Sequence, residues 1–186
     1  SRFENLKIEN SLKIESRLWR EKISQLDLAL VYAYGDLIPK ELLSLPKYGF
    51  WNIHPSLLPK YRGPSPIATP LINGAKTTGV TIIKMDEEID HGPIIAQESY
   101  TIKDTDYRTD LEKKLTNLAF EMFKKIISQN IQLDKLVTLY QLDQLASFTK
   151  KLGKKDGFIS FENLKDLLQL TTSHQPLVTF YNLFRG

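Results

Sequence analysis

The stretch from Gly49 to Gly63 restricts the fold of this chain more than any other. Its first half alternates with a two-residue period, so as a strand it sends Phe50, Asn52 and His54 to one face and Trp51 and Ile53 to the other. Pro55 and Pro59 then end the strand, because proline cannot donate to a sheet ladder and restricts the residue before it. A strand needs a sheet around it. An amide and an imidazole side by side where a strand gives way to a stiff turn match the place where open α/β sheets gather ligands.

The residues before this strand supply the rest of a βα pattern. Ser16 to Gln25 places Trp19 and Ile23 one turn apart, as in a short helix, and Leu28 to Tyr34 is an apolar run closed by Gly35 and Asp36. That run reads as a strand buried on both faces. Pro39 suits the first turn of a helix over about Lys40 to Ser44, and Pro46 and Gly49 return the chain to the second strand. Helix, strand, helix, strand predicts an α/β fold with a mostly parallel sheet and both strand C-termini at one edge.

After the turn, Ser65 and Pro66 are candidates for an N-cap and first helical residue, with Asn73-Gly74 as the stop and Pro70 an irregularity between them. Gly79 to Met85 and Ile94 to Ile102 are β-rich, and the acidic stretch from Asp86 to Gly92 between them reads as a hairpin connection that displays Asp90 at a fixed position. From Tyr107 to about Asn130, the apolar positions Leu111, Leu115, Leu118, Ala119, Met122 and Ile126 form a helical stripe. The pattern then loosens, with a turn at Asp156-Gly157, a helix expected over Phe161 to Leu170, and an aromatic end from Gln175 to Gly186. The domain boundary is placed near residue 131, giving a domain over 1–130 and a second segment over 131–186.

Composition narrows the chemistry. The 186 residues are 41% hydrophobic and 25% charged, values of an ordinary globular protein, and no apolar run approaches the roughly 18 residues of a membrane span. With no secretory h-region, an intracellular, cytoplasmic protein is expected. The absence of cysteine removes thiol nucleophiles, disulfides and cysteine-based metal sites, and leaves three histidines, His54, His91 and His174. A net charge of +3 is too small to argue for nucleic acid by itself, and the cluster Lys150, Lys151, Lys154 and Lys155 serves equally as a solvated face.

Asn52, His54 and Asp90 are the candidate chemical groups. An amide, an imidazole and a carboxylate suit acyl transfer to an amine, in which an oxyanion is stabilised and a proton is removed from nitrogen. An adjacent carboxylate is expected to favour charged His54. The competing uses are a strand-end His54 with a solvated Asp90, or a metal site of His54, Asp90 and His91. The metal reading suffers because neighbouring residues rarely converge on one ion. Around Gly157 a calcium loop fails, since its register puts Leu152, Lys154 and Asn163 at ligand positions. The chain also has no glycine-rich phosphate motif.

The run Asn52-Ile53-His54-Pro55-Ser56-Leu57-Leu58-Pro59-Lys60-Tyr61-Arg62-Gly63, followed by Gly79-Val80-Thr81 and Met85 through Asp90 to Gly92-Pro93, closely resembles the folate-dependent formyltransferases. Ala33-Tyr34-Gly35 with Ile38-Pro39-Lys40, and Ser147 to Leu152 leading to Asp156-Gly157-Phe158-Ile159, resemble the branch of that family acting on methionyl initiator tRNA. The resemblance implies a Rossmann-like domain whose first βα units precede Ser1, followed from 131 by a linker and the start of a C-terminal tRNA-binding domain. It implies 10-formyltetrahydrofolate as formyl donor, no metal, initiator methionyl-tRNA as partner, no membrane, and a monomer. A sugar nucleotide or glycinamide ribonucleotide is the alternative acceptor, and an inactive folate- or RNA-binding fragment the alternative class. By the same resemblance, Asn52 and His54 polarise the formyl oxygen, and Asp90 tunes His54 and helps remove the amine proton. Ser56, Leu57, Leu58 and Pro59 match the folate-contacting turn, with Ala33, Tyr34 and Ile38 as a wall for the pteridine.

Overall fold

A computed structural model describes residues 17–128, 133–157, 182 and 185. In chain order the elements are α1 (Arg17–Ser24), β1 (Ala29–Tyr32), α2 (Lys40–Leu43), β2 (Phe50–His54), α3 (Ala68–Ile72), β3 (Thr77–Lys84), β4 (Ile94–Thr101) and α4 (Arg108–Ser128). The four strands form one sheet in the order β1-β2-β3-β4. No helix among the described residues is long and apolar enough to cross a membrane.

The α/β class holds, but the mostly parallel sheet does not: β1 pairs with β2 in parallel, whereas β2 with β3 and β3 with β4 are antiparallel. The register explains why. His54 at the end of β2 faces Thr81, so β3 starts at Thr77, beyond the edge where β2 stops. The chain turns back at that edge instead of crossing the sheet, and the short connection from β3 to β4 permits only a hairpin.

The alternation in β2 divides the core. Trp51 and Ile53 join Val80, Ile82 and the α4 stripe of Leu111, Leu115, Ala119 and Met122 in one buried cluster. Phe50, on the opposite face, packs with Ile23, Ala29 and Leu42, against which Trp19 also rests. The stripe expected over 107–130 is thus α4 lying on the sheet, its last two residues outside the described ones.

Three expectations change in detail. The run from Leu28 to Tyr34 is not a strand buried on both faces: β1 covers four residues, and Leu30 and Tyr32 are exposed because β1 is the edge of the described sheet. Ala33 leaves the strand with φ 51°. The helix expected from Ser65 begins at Ala68, although the Ser65 carbonyl accepts from Thr69 N at 3.1 Å and so leads the chain into it. The helix expected over Phe161 to Leu170 lies outside the described residues.

Residues 133–157 lie back on this domain. Leu139 and Ile94 exchange backbone hydrogen bonds of 2.9 and 2.8 Å, and Ser147 and Thr149 clasp the backbone of Arg62 from both sides. Near the end of the chain, Arg185 donates to the carbonyls of Asp106 and Lys103.

Candidate active site

Two elements bring the polar trio together. β2 presents Asn52 and His54 on one face, and the connection from β3 to β4 carries Asp90 back over them. That connection closes tightly: a Cβ at Gly92 would lie 1.9 Å from the Lys84 carbonyl oxygen, so a side chain there would force the loop away from β3. Asp90 itself has φ 51°, a left-handed backbone that the surrounding contacts must hold.

The carboxylate of Asp90 is the hub. Its Oδ1 accepts from Asn52 Nδ2 at 3.0 Å and lies 3.4 Å from His54 Nδ1, while Oδ2 accepts from the backbone N–H of Gly63 at 2.8 Å. His54 is 4% exposed. Its Nε2 lies 2.9 Å from the carbonyl of Tyr61, which can only accept, so the proton of the neutral ring sits on Nε2 and the Nδ1 lone pair faces Asp90. Burial holds the His54 pKa below its ordinary value, outweighing the opposite pull of Asp90 and of the Tyr61 carbonyl. Asp90 does favour the charged form of His54, as expected, but desolvation is the larger effect and the net shift is downward.

The turn after β2 is built from inside. Ser56 is fully buried and donates to the Lys60 carbonyl at 2.8 Å. Thr81 Oγ1 donates to Ser56 O at 2.6 Å and accepts from Leu58 N at 3.1 Å, and Gln97 donates to Leu58 O at 2.9 Å. Leu58 is buried, whereas Leu57 and Pro59 stay half-buried and offer the turn's apolar outer surface. Ala33 and Tyr34 are exposed and Ile38 half-buried.

Arg62, Gln141 and Asp143 take parts in the site that the sequence reading did not assign, and His91 takes one other than the metal ligation weighed for it. Arg62, 3% exposed, donates to Gln141 Oε1 at 2.9 and 3.2 Å and to Asp143 Oδ1 at 2.9 Å. Gln141 in turn donates to the carbonyls of Asp90 and Gly92 at 2.9 and 2.8 Å. His91 lies 2.6 Å from Asp86 Oδ2 and 3.6 Å from Asp143 Oδ2, and the hydrogen bond to Asp86 is the main reason its pKa is raised. The guanidinium of Arg62 likewise holds the Asp143 pKa below its ordinary value. Arg62 and His91 lie in stretches that carry the family resemblance, but nothing local signals that Arg62 is buried. Thr81 had a signal, a hydroxyl in the otherwise apolar run from Val80 to Ile83.

The α/β domain thus gathers an amide, an imidazole and a carboxylate where a strand enters a turn, a set suited to acyl transfer. Residues 5–127 match the family described as formyl transferase, and the chain belongs to that family. It is 44% identical over 140 residues to a methionyl-tRNA formyltransferase of Pelagibacter ubique (strain HTCC1062), covering 74% of this chain and 44% of that protein. It is 34% identical over 157 residues to a methionyl-tRNA formyltransferase of Syntrophomonas wolfei, covering 84% of this chain and 48% of that one. The chain spans about half the length of the curated relatives it matches. Among solved structures it resembles an N-formyltransferase from Helicobacter canadensis in complex with folinic acid and dTDP-3-aminofucose, with a TM-score of 0.66 and 25% identity over 89% of this chain and 57% of the other.

Proposed function

We propose that this chain carries the catalytic site of a methionyl-tRNA formyltransferase, moving the formyl group of 10-formyltetrahydrofolate to the α-amino group of methionyl initiator tRNA in the cytoplasm. The observation that carries the reading is the convergence of Asn52 and His54 on Asp90, with contacts of 3.0 and 3.4 Å. Identities of 34–44% to enzymes named for methionyl-tRNA favour that acceptor over a sugar nucleotide, for which the likeness is 25%. We place the formyltransferase domain over 1–130, and over 131–186 a linker with the start of a tRNA-binding domain.

In this mechanism the amine nitrogen bonds to the formyl carbon, the bond from that carbon to N10 of the folate breaks, and one proton passes from the amine to N10. Asn52 Nδ2 spends one hydrogen on Asp90 and keeps the other for the developing oxyanion. His54, neutral at rest, takes the amine proton on Nδ1, and Asp90 beside it stabilises the imidazolium until that proton moves on. A neutral, buried His54 with Nδ1 beside Asp90 supports a part in proton transfer, alongside the polarising of the formyl oxygen that the family resemblance implies. The half-buried Leu57 and Pro59 side chains suit contact with the folate, with Ser56 and Leu58 shaping the turn from within.

The test supplies 10-formyltetrahydrofolate and charged initiator tRNA to the purified chain and to a version extended at both ends with a relative's flanking segments. Formylmethionyl-tRNA from the extended chain is expected. Its absence overturns the enzyme assignment, and product with an amino sugar nucleotide alone would reassign the acceptor. Product from the extended chain only would mark the 186-residue chain as an inactive fragment.

A further inference from the structure

We propose that Gln141 is a positioning residue for formyl transfer, fixing the backbone of Asp90 so that its carboxylate meets Asn52, His54 and Gly63 together. The proposal rests on the reading of Asp90 given above. Gln141 lies 51 positions from Asp90 in sequence, on the segment that returns across the domain, and it is the one side chain seen to bond both Asp90 O and Gly92 O, on either side of His91. Those two carbonyls flank the tightest part of the loop, next to the left-handed Asp90 backbone. A loop in this conformation keeps it only where its surroundings over-determine it.

The carboxamide can point only one way. Its Oε1 accepts two N–H groups of Arg62, at 3.2 and 2.9 Å, so Nε2 must face the two carbonyls, and the reverse orientation would put donor against donor and acceptor against acceptors. Arg62 is itself fixed on three sides. Asp143 pairs with its guanidinium at 2.9 Å, Phe148 stacks 5.9 Å from it, and Ser147 and Thr149 hold its backbone. The backbone of the adjoining Gly63 then donates to Asp90 Oδ2. Asp90 is consequently gripped at both ends, its carbonyl by Gln141 and its carboxylate by Gly63, and both grips trace back to residues 62–63 clasped by the returning segment.

Gln141→Glu separates this role from packing. A carboxylate keeps the Arg62 partner but sets an oxygen against the Asp90 and Gly92 carbonyls, so the loop alone loses its support. In the extended chain, kcat should fall by about 10- to 100-fold with the donor KM changed less than about twofold, the cost typical of a small misplacement of a reacting group. The Gly63 amide should exchange with solvent faster, and Gln141→Met should move kcat and Gly63 exchange in the same directions. In an Asp90→Ala background, Gln141→Glu should cost nothing further in kcat, because it acts through Asp90. Unchanged kcat, a full additional loss in the double variant, or an effect confined to KM would each overturn the proposal. If the unmodified extended chain makes no product, the functional reading fails by itself, and Gly63 exchange decides on the loop: unchanged exchange in Gln141→Glu overturns its positioning by Gln141.

Discussion

At the scale of the residue, what distinguishes His54 is the division of labour between its two nitrogens. Tyr61 O occupies Nε2 at 2.9 Å, so in the proposed mechanism the proton is taken on Nδ1, which faces Asp90 at 3.4 Å. Removing either group leaves the other without its chemical partner. His54→Ala and Asp90→Ala are each expected to lower kcat by about two to four powers of ten while leaving folate affinity largely intact. Single-turnover kinetics and fluorescence titration of the folate would check this, and unchanged turnover in either variant would remove the assigned role. The pairing of Asn52 with His54 was legible from the two-residue period alone, and Asp90 from its place in a hairpin connection. The protonation state of His54 was not, because it depends on burial, and burial is set by residues far away in the chain.

At the scale of the element, the turn between β2 and α3 is held less by its own prolines than by one hydroxyl on β3. Thr81 joins Ser56 O, Leu58 N and Gln97 Nε2 at 2.6, 3.1 and 2.9 Å, with no exposed surface. Thr81→Val keeps the shape and strands the Ser56 carbonyl and the Leu58 N–H inside the protein. Each such group costs about 1–3 kcal/mol, so chemical denaturation should show a loss of about 2–4 kcal/mol, with a higher donor KM as the turn loosens. A Thr81→Val protein as stable as the parent would mean that the turn is held by other contacts. β2, the hairpin and α4 were readable because each has its own period. The sheet's direction was not, since counting helices between strands does not show that β3 starts beyond the end of β2. The path of residues 133–157 has no periodic signal, because it docks through single polar contacts such as those of Gln141 and Ser147.

At the scale of the whole molecule, the two described histidines make stability depend on pH in opposite senses. His54 has its pKa lowered by burial from the ordinary 6.5, so the unfolded chain binds the proton more readily, and the stability His54 contributes is present above 6.5 and lost as pH falls through its folded value. His91 has its pKa raised, first by the hydrogen bond to Asp86 and further by the charges of Asp86, Glu88 and Asp143. Its contribution is complete below 6.5 and is lost as pH rises through its folded value. The second effect is also one of assembly, since Asp86 lies in the loop that carries Asp90 and Asp143 in the returning segment, so protonated His91 ties the two together. Melting temperatures of the parent and of His91→Gln, taken from about pH 5 to about pH 9, should therefore differ most at the acidic end and converge as pH rises past the folded His91 pKa. Activity should follow the same ordering in reverse for His54: kcat of the extended chain rises with pH along a limb whose midpoint lies below 6.5, because neutral Nδ1 is the working form. A constant gap between the two melting curves would show that His91 acts by packing alone, and a kcat limb centred above 6.5 would contradict a His54 held neutral by burial.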